Sequence, residues 1–158
     1  MTSQLPPAPR FVFTILEPLS LLAGFLSPIL TPQFFISSQL PSPSPHPADA
    51  TSILVAQQLG NAYLLLGLLG LFILNTTTEL KVVRAYLWAL WLGDIGHVGL
   101  TLFAMGWEGS LDVGRWNAVI WGNIAATGFL FLTRSLYFAG AFGGGGLEGK
   151  AKGKAKRG

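Results

Sequence analysis

Apolar residues fill four stretches of the chain, residues 11–31, 53–75, 82–105 and 115–139, with most polar residues gathered between them. A helix crossing a hydrocarbon layer of about 30 Å takes roughly 20 mainly apolar residues, and all four stretches reach that length. The second is the clearest. Leu64, Leu65, Leu66, Leu68, Leu69, Leu71, Phe72, Ile73 and Leu74 leave it apolar all round, and Gly60, Gly67 and Gly70 are small enough for a second helix to approach closely. The first contains Glu17 and Pro18, and Pro28 follows its apolar run in place of a small-residue cleavage site, so it reads as a retained span. Between the first two, Pro41-Ser-Pro-Ser-Pro-His-Pro47 cannot be helical and predicts an extended, exposed loop within residues 32–52. The other connections are short, which makes consecutive helices antiparallel neighbours. The predicted fold is all-α: one integral-membrane, up-down four-helix bundle over residues 11–140, between an N-terminal segment 1–10 and a tail 141–158.

Composition supports lipid as the solvent. Only 11% of the 158 residues are charged, against about a quarter in an average soluble domain. The net charge of +3 belongs to the tail, since five of the ten basic residues are Lys150, Lys152, Lys154, Lys156 and Arg157. With Gly143 to Gly146 before it, that tail predicts a flexible segment near an anionic membrane surface. No aromatic side chain interleaves its charges, so nucleic acid is not the expected partner. Arg10, Lys81, Arg84 and the tail fall on one side of the bundle and Arg115 on the other, which places both termini in the cytosol. The sequon Asn75-Thr-Thr77 then faces the cytosol and is expected to be unmodified. The expected location is the endoplasmic reticulum or a related endomembrane. The chain has no cysteine, which excludes disulfides and thiolate chemistry.

Ionisable groups inside a span cost about 2.5–3.5 kcal/mol at the helix centre, so each calls for a partner or a purpose. Glu17, Asp94, His97 and Arg134 are such groups, and Gln57, Gln58, Asn61, Asn123 and Thr127 are polar companions. Depths from the cytosolic helix ends come to roughly 18 Å for Asp94, 22 Å for His97 and 21 Å for Asn61 and Asn123. Glu17 falls at roughly 9 Å, Arg134 at about 5 Å, and Gln57 and Gln58 at about 26 Å. This predicts a polar column down the bundle. Asp94 and His97, three residues apart, share a helix face with Trp91, and Gly93 and Gly96 beside them leave room for a helix or a ligand. Two structural readings stand beside a catalytic one: a cytosol-proximal Glu17–Arg134 ion pair, and an Asp94–His97 hydrogen bond that only packs helices.

Burial in hydrocarbon favours the neutral forms of a carboxyl group and an imidazole, so an intramembrane Asp can donate a proton and a nearby His can accept one. One His and one Asp are too few for a zinc site, and His46 lies in the remote Pro-rich loop. No phosphate-binding loop is present, and neither metal nor cofactor is expected.

Leu16-Glu17-Pro18, the Pro28-containing exit, Gln57-Gln58-Leu-Gly-Asn61 and Leu92-Gly-Asp94-Ile-Gly-His97 together resemble a family of short fungal four-helix membrane proteins, over residues 10 to 140. More distantly the pattern is similar to the fungal integral-membrane terpene cyclases and epoxide hydrolases, and to the sterol-isomerase and sigma-2-receptor group. The resemblance implies that Glu17 and Asp94 protonate an epoxide or alkene. The chain is shorter than a typical cyclase, and its Asp-His spacing departs from the isomerase pattern. The functional expectation is a membrane-embedded acid–base enzyme acting on a hydrophobic isoprenoid or polyketide intermediate. Its expected catalytic residues are Asp94, Glu17 and His97, with Gln57, Gln58, Asn61, Trp91 and Asn123 contacting substrate. A sterol- or lipid-binding protein and a structural subunit of a larger membrane complex are the alternatives.

Overall fold

The computed structural model describes residues 5–41 and 47–143. His46 of the Pro-rich loop and the lysine-rich tail, expected to be a flexible segment near the membrane surface, lie outside the described residues. Four long helices dominate: α1 (Pro7–Leu30), α3 (Ala50–Thr76), α4 (Leu80–Leu111) and α5 (Ala118–Phe138), each long and apolar enough to cross a membrane. A short helix, α2 (Pro32–Ser37), occupies part of what was expected to be loop. No strand occurs among the described residues. Large apolar side chains point outward along these helices, with Phe103 86% and Trp107 80% exposed. Water would not tolerate so extensive an apolar surface, whereas lipid does.

Local chemistry explains where the helices begin and bend. Pro7 occupies the first turn of α1, where a missing N–H costs nothing, so this helix starts four residues before the expected boundary. Pro18 cannot donate to the carbonyl of Thr14 and its ring crowds that oxygen. The preceding turn widens into a π-helical segment, Val12–Leu16, closed by the Glu17 amide donating to the Val12 carbonyl. Asp49 caps α3 by accepting from the Ser52 amide at 2.7 Å, and this bond holds its carboxyl below the ordinary value of 3.8. Asn117 caps α5 through the amides of Val119 and Ile120, which moves the start of that helix three residues past the expected 115. α4 kinks at Gly106, whose φ of 68° only glycine adopts easily, so the straight part ends at the expected residue 105.

The bundle is two tight pairs. In α1 and α3 the close approach depends on Gly60: a Cβ there would lie 2.7 Å from Pro28 Cγ and 3.1 Å from the Phe25 carbonyl oxygen. α4 and α5 are joined by aromatic contacts instead. Trp88 stacks on Phe138 at 4.4 Å, Trp91 on Phe131 at 5.2 Å, and the Trp91 indole donates to Ser135 Oγ at 2.9 Å. The pairs meet at the end that carries the start of α1 and the end of α5, where Val12, Phe13, Leu74, Val83, Leu87 and Tyr137 form the core. Away from that end they separate.

Candidate functional site

Where the pairs separate they enclose a cavity of about 490 Å³, lined by all four long helices and by Phe35 of α2. Its wall is mainly apolar and small, with Leu21, Leu66, Leu90, Ala126 and Leu130 prominent, and Gly93 and Gly122 leave open space on facing helices. Into this wall project Glu17, Tyr63, Asp94, His97, Asn123 and Thr127.

The inner end of the cavity is an ion triad. Arg134 is wholly buried; its Nη1 donates to Asp94 Oδ2 and its Nη2 to Glu17 Oε1. One guanidinium thus ties α5 to α1 and to α4. The ring of Phe13 lies 5.2 Å from the guanidinium carbon and covers its other face. Among the described residues Arg134 Nε has no hydrogen-bond partner, so the guanidinium's hydrogen bonds go to the two carboxylates. Among the described residues the remaining oxygens, Asp94 Oδ1 and Glu17 Oε2, accept no hydrogen bond, and both residues line the cavity. Two carboxylates facing one cation make the inner end an acceptor-rich surface inside an apolar chamber.

The triad corrects the expected column. Helix-end arithmetic put Arg134 about 13 Å from the level of Asp94, yet they are bonded. The register is set by Trp88 against Phe138 and Trp91 against Ser135, which slides α5 along α4 until Arg134 lies opposite Asp94. The Glu17–Arg134 pair exists, but as half of a triad. The Asp94–His97 hydrogen bond does not form: Asp94 is turned to Arg134, and the His97 ring lies beside that of Tyr63.

His97 and Asn123 form the second polar group of the wall. Asn123 sits in a π-helical segment, Gly122–Ala126, and its Nδ2 donates to Gln39 Oε1, just beyond α2, at 3.0 Å. The edge of the Tyr63 ring packs against His97, with centroids 6.4 Å apart. Among the described residues no group of three or more His, Cys, Asp or Glu could hold a metal ion.

Of the residues singled out from the sequence, Glu17, Asp94, His97 and Asn123 meet at the cavity. Gln57, Gln58, Asn61 and Trp91 are not among its lining residues. Trp91 packs between α4 and α5. The buried face of α3 is Ala56, Gly60, Gly67, Gly70 and Leu74, so Gln58 and Asn61 are turned outward and exposed. Close packing followed the small residues, because helices in lipid gain most from backbone approach. Tyr63 and Gln39 were missed. Tyr63 continues the small-residue period from Gly60 to Gly67, a signal available in the sequence, whereas nothing local marks Gln39.

Residues 2–144 match the family described as "Domain of unknown function (DUF7704)", a match that spans the four long helices and every residue of the cavity. No curated protein and no solved structure matches the chain.

Proposed function

The chain belongs to the DUF7704 family of domains of unknown function, and from that premise we propose that it is a membrane-embedded acid–base enzyme acting on a hydrophobic small molecule without a cofactor. The observation that carries this reading is the pair of free carboxylate oxygens, on Glu17 and Asp94, presented to an apolar cavity while Arg134 holds them from behind. A structural ion pair alone would not need to open onto a chamber.

The two carboxylates and the single guanidinium carry one net negative charge when both acids are ionised, and one proton on the pair removes it. That proton is the reagent. Asp94 transfers it to an epoxide oxygen as the carbon–oxygen bond breaks, and the Arg134 guanidinium neutralises the carboxylate left behind. Water attacks the ring carbon, forming the new carbon–oxygen bond, and gives its proton to His97, from which it returns to the carboxylate. Glu17 shares the proton with Asp94 and keeps Arg134 in place. The same acid can protonate an alkene to start a cyclisation or an isomerisation. The substrate class proposed is an isoprenoid or polyketide intermediate, and the proposed setting is the endoplasmic reticulum with both termini in the cytosol.

The test is turnover of a panel of isoprenoid epoxides by the protein in lipid nanodiscs, with diol or cyclised product read by mass spectrometry. Wild type should form product. Asp94→Asn, which still accepts from Arg134, should lose it while unfolding at the same temperature. Saturable binding with no product from wild type would favour the lipid-binding alternative, and full activity in Asp94→Asn would remove the acid. Because the chain lacks cysteine, orientation can be read separately by labelling Lys81→Cys and Val113→Cys in sealed microsomes.

A further inference from the structure

The chain folds a short element across the end of the cavity that lies away from the triad. Thr31 precedes Pro32, and a proline ring disfavours helical backbone at the residue before it. Thr31 accordingly adopts φ −136° and ψ 60°, so α1 ends at Leu30 and α2 sets off in a new direction. Adjacent residues on a helix point about 100° apart. Phe34 is turned outward, 56% exposed, whereas Phe35 is 6% exposed and forms part of the cavity wall. Two sets of hydrogen bonds hold this element. The Ala48 amide donates to Gln33 Oε1 at 2.8 Å, and Gln33 Nε2 donates to the Ala48 carbonyl at 3.2 Å. From α5, Asn123 Nδ2 donates to Gln39 Oε1 at 3.0 Å, and Gln39 Nε2 donates to the Phe35 carbonyl at 3.1 Å. The backbone of Phe35 is thus tied to α5, and its helix to the approach to α3, which makes the ring a fixed stop.

The cavity lining runs from Glu17 to Ser27 on α1 and from Ala118 to Leu130 on α5, roughly 15 Å and 18 Å of helical rise. The triad occupies one end of that length and Phe35 the other. Between them small side chains, Ala23, Gly24, Gly122 and Ala126 among them, leave the passage open. We propose that Phe35 determines specificity by length: it sets the longest chain that the cavity accepts from an elongated ligand, such as a linear isoprenoid or acyl chain. The polar head of that ligand lies at the Glu17 and Asp94 carboxylates, and its apolar tail runs towards α2. A tail that stops short leaves apolar wall without contacts, and one that overshoots has to push Phe35 against both tethers. This deepens the acid–base reading and rests on it for the reacting group at the head, but the length limit itself does not.

The experiment uses the full chain in nanodiscs and a linear primary alcohol that carries a photoreactive diazirine at its tail. Unlabelled linear alcohols and terminal epoxides of increasing length compete with it, and labelled residues are read by peptide mass spectrometry. In wild type the probe should label the segment around Phe35. Competition should strengthen with chain length up to a limit and then fall about tenfold within about two further methylene groups. Phe35→Ala should move that limit to longer chains, and Phe35→Trp to shorter ones. Should Phe35→Ala fail to fold, Phe35→Leu keeps an apolar contact there and should move the limit in the same direction by less. A limit that is the same in wild type and in the variants that fold overturns the proposal. So does competition that never falls as chains lengthen, because the tails then escape between the helix pairs into lipid. Conversion of the epoxides is scored separately. A length limit that moves with residue 35 but gives no product fails the proposed reaction and keeps the stop; product whose length range ignores residue 35 does the reverse.

Discussion

Replacing Arg134 by methionine removes the one cation of a buried cluster and leaves both of its carboxylates behind. The arginine side chain is fully buried, and those of Glu17 and Asp94 are 8% and 11% exposed. Removing one partner of a buried ion pair costs roughly 3–5 kcal/mol, because the remaining charge is uncompensated. At about 2–4 °C per kcal/mol for a chain of this size, the midpoint of unfolding should fall by about 6–20 °C. The measurement is thermal unfolding in detergent followed by tryptophan fluorescence, since Trp88 and Trp91 stack on residues flanking Arg134 in α5. The triple variant Arg134→Met, Glu17→Gln, Asp94→Asn removes the charges together and should recover most of the loss. If Arg134→Met unfolds within about 0.5 kcal/mol of wild type, a size typical of neutral surface changes, the triad does not tie the helix pairs together. If the single variant is destabilised and the triple variant recovers nothing, the loss lies in packing over Phe13 and not in charge.

Two glycine substitutions should act with opposite signs in the same unfolding assay. Gly60→Ala puts a methyl group 2.7 Å from Pro28 and 3.1 Å from the Phe25 carbonyl, and should destabilise by about 1–3 kcal/mol. Gly96→Ala meets nothing within 4 Å and should be neutral or stabilising by up to about 1 kcal/mol, so equal losses at both sites would contradict the packing described. Trp91→Phe keeps the stack on Phe131 but loses the bond to Ser135, at an expected cost of about 0.5–1.5 kcal/mol; pairing it with Ser135→Ala in a double-mutant cycle isolates that bond. The Asp49 cap has a folded-state value depressed below the ordinary 3.8, so its contribution is complete above 3.8 and is lost as pH falls through the folded-state value. Hydrogen exchange at the Ser52 amide should accelerate over that acid range relative to Asp49→Asn, which caps without titrating; identical pH profiles would refute the assignment.

Hydrophobic length alone placed the four spans, because an apolar run of this length leaves a helix in lipid as the only arrangement that satisfies its backbone. The boundaries shifted by a few residues, and for local reasons: Pro7, Asp49 and Asn117 each begin a helix where their own side chain suits the first turn. The ionisable residues were equally legible, since Glu17, Asp94 and His97 are conspicuous against so few charges. What the chain does with them was not. Helical spacing says that Asp94 and His97 share a face, but it carries no register between helices, and register gave Asp94 to Arg134 and set His97 beside Tyr63. Nor could polarity tell which face of α3 turns inward, because in lipid the glycines decide close approach, and they left Gln58 and Asn61 outside. The sequence by itself determined the solvent of this protein and the inventory of its polar groups. Only the tertiary structure decided which of those groups meet, because that depends on how far one helix slides along another, a distance set by aromatic stacking and glycine contacts between residues far apart in the chain.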